Sequence, residues 1–170
     1  LRIADPADKN IMPHGSTGSY AGGVTGTLIL NATASTRQAV FDLNGSTQTI
    51  NGLNSTATDP SDNLVQDTAG GGSLILGDND VTATFGGIIQ SALPITKIGT
   101  GTETLSGANT YTGDTIVEAG TLVVNTAFSG SGNYSISNSA ALGVNVAGAG
   151  STLAVNNLTY GSRFAGPENA

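Results

Sequence analysis

Residues 120–125 read Gly-Thr-Leu-Val-Val-Asn. The same phrase stands at 26–31 as Gly-Thr-Leu-Ile-Leu-Asn and at 72–77 as Gly-Ser-Leu-Ile-Leu-Gly, with a looser copy at 151–156, Ser-Thr-Leu-Ala-Val-Asn. A small residue and a hydroxyl residue lead into a short apolar run that ends on Asn or Gly. In an extended chain, alternate side chains point to opposite faces. Leu122 and Val124 therefore share one face, and Val123 takes the other. The intervals between Leu28, Leu74 and Leu122 each accommodate two coils of about 23 residues, a solenoid spacing. The interval to Leu153 is shorter and breaks the period.

Outward from these phrases the chain keeps one texture. Gly, Thr, Ser and Asn make up nearly half of it. No stretch sustains a helical apolar period, while short strand-like runs alternate with Gly, Asn and Asp punctuation. Stacked coils would place leucines above one another in a narrow apolar core. The expected core is Leu28, Leu30, Leu74, Leu76, Leu122, Val124, Leu153 and Val155. Asn31, Asn51, Asn125 and Asn156 are the candidates for stacked amide ladders at strand ends.

The run Lys97-Ile98-Gly99-Thr100-Gly101-Thr102-Glu103-Thr104-Leu105-Ser106-Gly107-Ala108-Asn109-Thr110-Tyr111-Thr112-Gly113 continues to Asn125. From Ile95 to Asn125 it resembles an autotransporter-associated β-strand repeat, and Leu105 to Gly113 is its most specific part. The resemblance implies a right-handed parallel β-helix outside the cell, on bacterial surface or secreted proteins, with no enzymatic activity and no defined ligand. Two positions depart from the family pattern. Glu103 stands where an apolar residue is usual, and on the inward face it needs a partner or a proton. Lys97 is the nearest basic residue. Asp114 replaces a common Gly, which marks an exposed corner.

The expected fold is an all-β parallel β-helix of about seven or eight coils, roughly 35 Å long at the usual strand spacing. The alternative is an antiparallel β-sandwich, which the same short strands permit. Residues 1–23 read as an N-terminal extension, 24–160 as the repeat domain and 161–170 as a C-terminal tail. The chain opens at Leu1 without a signal-peptide pattern and is read as a mature product or a fragment.

Composition narrows the chemistry. There is no Cys, which removes thiol catalysis, zinc fingers and disulfides, and His14 is the only His. The net charge of −7 opposes nucleic-acid and anionic-membrane binding, and no run has the length of a transmembrane helix. No cofactor is expected. Asp59, Asp62 and Asp67 lie in one turn-rich segment, and Asp78 and Asp80 in another. Paired carboxylates can bind Ca²⁺ or do acid/base work on polysaccharides, but Asp is also an ordinary corner residue. Asp78 and Asp80 are the weak calcium candidates. His14 reads as a loop residue. Tyr20, Tyr111, Tyr134 and Tyr160 are either an adhesive surface or caps on the core.

The functional expectation is a non-enzymatic, extracellular structural protein: a surface scaffold, an adhesin segment or a subunit of a self-assembling fibre. The alternative is a carbohydrate-binding or polysaccharide-cleaving domain. The expected partners are further copies of the chain or other cell-surface components. Ile29, Ile75 and Val123 should face outward and be covered, since strands apolar on both sides usually are. Leu1-Arg2-Ile3-Ala4 alternates like a short strand. Leu1 and Ile3, together with Ile29, Ile75 and Val123, form the expected assembly interface, in which a donated strand repeated head-to-tail gives a filament.

Overall fold

A computed structural model describes residues 26–32, 38–55, 62–126, 130–146 and 148–161. Short strands wind through these segments in successive turns. The first turn carries β1 (Leu28–Leu30), β2 (Ala39–Asp42) and β3 (Thr47–Ile50), and the second β4 (Leu53–Ser55), β5 (Asn63–Gln66) and β6 (Ser73–Leu76). The third carries β7 (Ala83–Phe85), β8 (Ile88–Ile89) and β9 (Ile95–Lys97). Later turns pair β10 (Thr102–Leu105) with β11 (Thr115–Val117), β12 (Gly120–Asn125) with β13 (Tyr134–Ile136), and β14 (Ala140–Asn145) with β15 (Leu158–Tyr160).

Every ladder among the described residues is parallel. That excludes the antiparallel sandwich and makes the described residues a parallel β-solenoid: the six strands of the second face span about five full turns. The second face is continuous, in the order β3-β6-β9-β11-β13-β15. A third face carries β2-β5-β8 and continues without a regular strand, where Thr110 and Tyr111 donate their N–H groups to the Ile89 carbonyl. The first face is split. β1 pairs with β4, and β7, β10, β12 and β14 form a separate ladder.

The turn count corrects the expectation of seven or eight. That figure spread one coil length over the whole chain. The turns are unequal instead: Thr47 aligns with Ser73, 26 residues on, and Thr115 with Tyr134, 19 residues on. The repeated phrase is not the period either. Leu28 and Leu122 lie on the first face, but Leu74 lies on the second, stacked between Gln48 and Ile95. Leu153 lies outside any strand. The phrase encodes a strand with one inward face, and any side of the solenoid can use it.

Alternation itself holds. Leu30, Leu74, Leu76, Leu122 and Val124 are buried, and Leu28, Leu153 and Val155 are partly so. Inward columns run Ile50, Leu76, Lys97, Val117, Ile136 on the second face and Ala83, Glu103, Leu122, Leu142 on the first. The last turn is open: Val144, Leu158 and Tyr160 are exposed. Burying each large apolar side chain contributes about 1.5–3 kcal/mol, so the stack carries most of the stability.

Candidate functional site

Two ionisable side chains sit inside this column structure. Lys97 is 0% exposed and Glu103 1%. Strand alternation places both inward, one near the end of the second face and the other near the start of the first. The Lys97 ammonium does not reach a carboxylate. It donates to the carbonyls of Ile98 (2.5 Å) and Gly99 (2.9 Å), at the corner between the two faces. Glu103 Oε2 accepts the Leu53 N–H at 3.2 Å, and Oε1 is buried with no partner. Lys97 thus acts on Glu103 through its charge rather than by contact. Burial pushes the Glu103 carboxyl up to about 8, against the opposing pull of the Leu53 N–H and the Lys97 charge. Burial pulls Lys97 below the usual lysine value, while Glu103 and Asp80 oppose that shift.

This carboxyl lies at the split in the first face. Among the described residues no ladder joins β4 to β7, although Gly52 faces Val81 and Ala83 closely there. Side chains close the seam instead. Asn51 Oδ1 accepts the N–H groups of Asn79 (3.1 Å) and Val81 (3.3 Å). Ser55 Oγ accepts the Gly86 N–H at 2.8 Å. Glu103 makes the third bridge: Ala83, its column neighbour, lies against Gly52, and two residues that small let the carboxyl reach past them to the Leu53 N–H. Sequence reading placed Glu103 inward but could not find the seam, because its signal is a missing ladder.

A second buried polar group joins adjacent turns. The Tyr111 hydroxyl lies 3.0 Å from both the Thr115 Oγ1 and the Tyr134 hydroxyl, and both rings are fully buried. Burial pushes both phenols above their usual value. These tyrosines are core, with hydroxyls satisfied inside rather than in water. Tyr111→Phe should lower stability by about 1–2 kcal/mol, measured as a shift in the urea midpoint at constant slope.

Of the carboxylates singled out in the sequence, Asp67 and Asp80 bond the backbone at corners. Asp67 is buried, with Oδ1 accepting the Gly45 N–H (2.5 Å) and Oδ2 the Gly72 N–H (2.7 Å). Asp80 stands in a left-handed corner and accepts the Thr100 N–H at 2.6 Å, and Asp78 beside it is exposed. Among the described residues, no three of His, Cys, Asp or Glu come together as metal ligands. Asp59, His14 and Tyr20 lie outside the described residues.

Amide ladders exist, but mostly at other positions than expected. Asn133 donates to Asp114 Oδ1 (2.8 Å), and Asn157 to Asn133 Oδ1 (3.1 Å), up one exposed corner. On the third face Gln66 donates to Asp42 (3.4 Å) and Gln90 to Gln66 (2.8 Å). Of the expected residues, Asn51 closes the seam and Asn125 donates to the Ser106 carbonyl at 2.5 Å. Asn31 and Asn156 are exposed.

The outward apolar residues are dispersed. Ile29 is 55% exposed on the first face, and Val123 lies on the same face between Thr104 and Gly143. Ile75 lies on the second face between Thr49 and Thr96. Leu1 and Ile3 lie outside the described residues.

Parallel stacking, inward columns and side-chain-bonded corners define a β-solenoid of the repeat-built kind. Residues 95–124 match the family model described as the passenger-associated-transport-repeat. The matched segment starts at β9, passes through the whole fourth turn and ends within β12, so it contains Lys97, Glu103 and Tyr111. Such a repeat implies an autotransporter passenger, hence a secreted or surface-borne bacterial segment. No curated protein and no solved structure matches the chain.

Proposed function

We propose that this chain is a structural, non-enzymatic segment of a secreted passenger, serving as a stiff scaffold or adhesin segment at a bacterial surface. The single supporting observation is that the passenger repeat occupies a full turn of the stack, so it is one of the solenoid's building units. The carboxylates of the corners accept backbone N–H groups, which is architectural work. Its partners in this reading are other cell-surface components or further copies of the chain, which would make it a fibre subunit. Negative-stain microscopy of the purified chain, alone and added back to cells, tests the proposal together with an assay for oligosaccharide release. Rods, or decoration of the cell surface, with no release support it. Release of oligosaccharides from a polysaccharide panel overturns it in favour of a carbohydrate-active domain.

A further inference from the structure

Among the described residues, no ladder joins the second and third turns on the split first face, where side-chain bonds bridge them, while β6–β9 and β5–β8 keep their ladders on the other two faces. The solenoid can therefore part at this seam with its other two sides intact. Of the three bridging side chains, two are neutral at every pH. The third is Glu103, whose carboxyl is buried, has one oxygen unpartnered and spans from the fourth turn to the second. We propose that Glu103 is a protonation latch on the β4–β7 seam: the closed first face tolerates the neutral acid, whereas the carboxylate, although it would bind the Leu53 N–H more tightly, leaves a buried charge with an unpartnered oxygen that only an opened, wetted seam relieves.

The surroundings favour this behaviour. Ala83 on β7, Leu122 on β12, and Gly52 and Leu53 at β4 put no charge against Glu103. Among the described residues, Lys97 on β9 is the cation that acts on it, and it is held by two corner carbonyls. Asp80 acts on Lys97 from the corner, and Glu118 is exposed, with its N–H on the Lys97 carbonyl. A carboxylate formed here would thus lack solvent, a second donor and a contact ion pair. Opening the seam admits water and returns the carboxyl to its ordinary value of 4.5 from about 8. The closed state binds the extra proton. Closure is therefore strongest below about pH 4.5, weakens as pH rises towards about 8, and then levels off. The inference goes beyond the proposed scaffold role and does not depend on it.

Amide hydrogen exchange tests the latch. In the wild type, the protection factor of the Leu53 amide, corrected for the intrinsic base-catalysed rate, should fall about tenfold per pH unit between pH 5 and 8. In Glu103→Gln, which cannot ionise, it should stay flat. A flat wild-type profile, or an equal fall in the variant, overturns the proposal. A carboxyl-carbon NMR titration of the unmodified protein gives a readout that needs no variant. A Glu103 midpoint near 8 supports the latch, and a midpoint near 4.5 overturns it.

Discussion

Leu122→Asp should destabilise the protein by about 4 kcal/mol or more, enough to leave much of it unfolded at room temperature. Leu122 is fully buried in the first-face column, between Glu103 and Leu142. The substitution deletes apolar packing and places a second carboxyl directly beside one that already lacks solvent. Leu142 offers no donor and Glu103 offers only its single carboxyl proton, so the two buried carboxyls must share protons or leave a charge unpaired, and both are costly. Val123→Asp is the control. Its side chain points outward between Thr104 and Gly143, and its loss should be about 1 kcal/mol. Urea unfolding of the two variants reads the difference. Near-wild-type stability of Leu122→Asp would remove Leu122 from the core.

Gly77→Ala should be nearly as damaging, for a different reason. Gly77 has φ of 101°, a region that L side chains rarely adopt. The Ile98 carbonyl packs against it at the corner where turns stack, and an added Cβ would land on that oxygen and lie 2.9 Å from the Lys97 ammonium. The turns would have to separate there, breaking the Ile98 N–H bond to the Leu76 carbonyl (2.8 Å) and disturbing the Lys97 anchor. We expect a loss of about 3 kcal/mol or more. Gly70→Ala isolates the backbone part of this effect. Gly70 also has a positive φ, 74°, but nothing lies within 4 Å of its added Cβ, so about 1 kcal/mol is expected. Equal melting temperatures for the two variants would mean that the corner is loose.

Alternation was the legible part of this chain. Leu74, Leu76, Leu122, Val124 and Glu103 were read inward from the two-residue period alone, because each strand needs one apolar face whatever its place in the stack. The place itself was not legible. Gly72-Ser73-Leu74 and Gly120-Thr121-Leu122 look alike yet sit on different faces, since corner geometry decides when a strand returns beneath its predecessor. Turn length stayed hidden for the same reason, and with it the number of turns. Asn51, at a strand end suited to a ladder, is a seam bridge instead. Its partners, Asn79 and Val81, are backbone donors, and no side-chain pattern announces those. The Tyr111–Tyr134 contact depended on the register of β11 and β13, which only the stacked corners fix.

The split first face also sets how the solenoid carries a mechanical load. Hydrogen bonds between turns run along the long axis, so tension along that axis loads the ladders of all three faces in parallel. Where the ladders are complete, a break must take several bonds at once. Between the second and third turns, one face contributes no ladder among the described residues and relies on the Asn51, Ser55 and Glu103 bridges. Stretching therefore opens the rod first on that side, bending it about the intact second and third faces before any turn unwinds. The molecule is stiff in two bending directions and compliant in one.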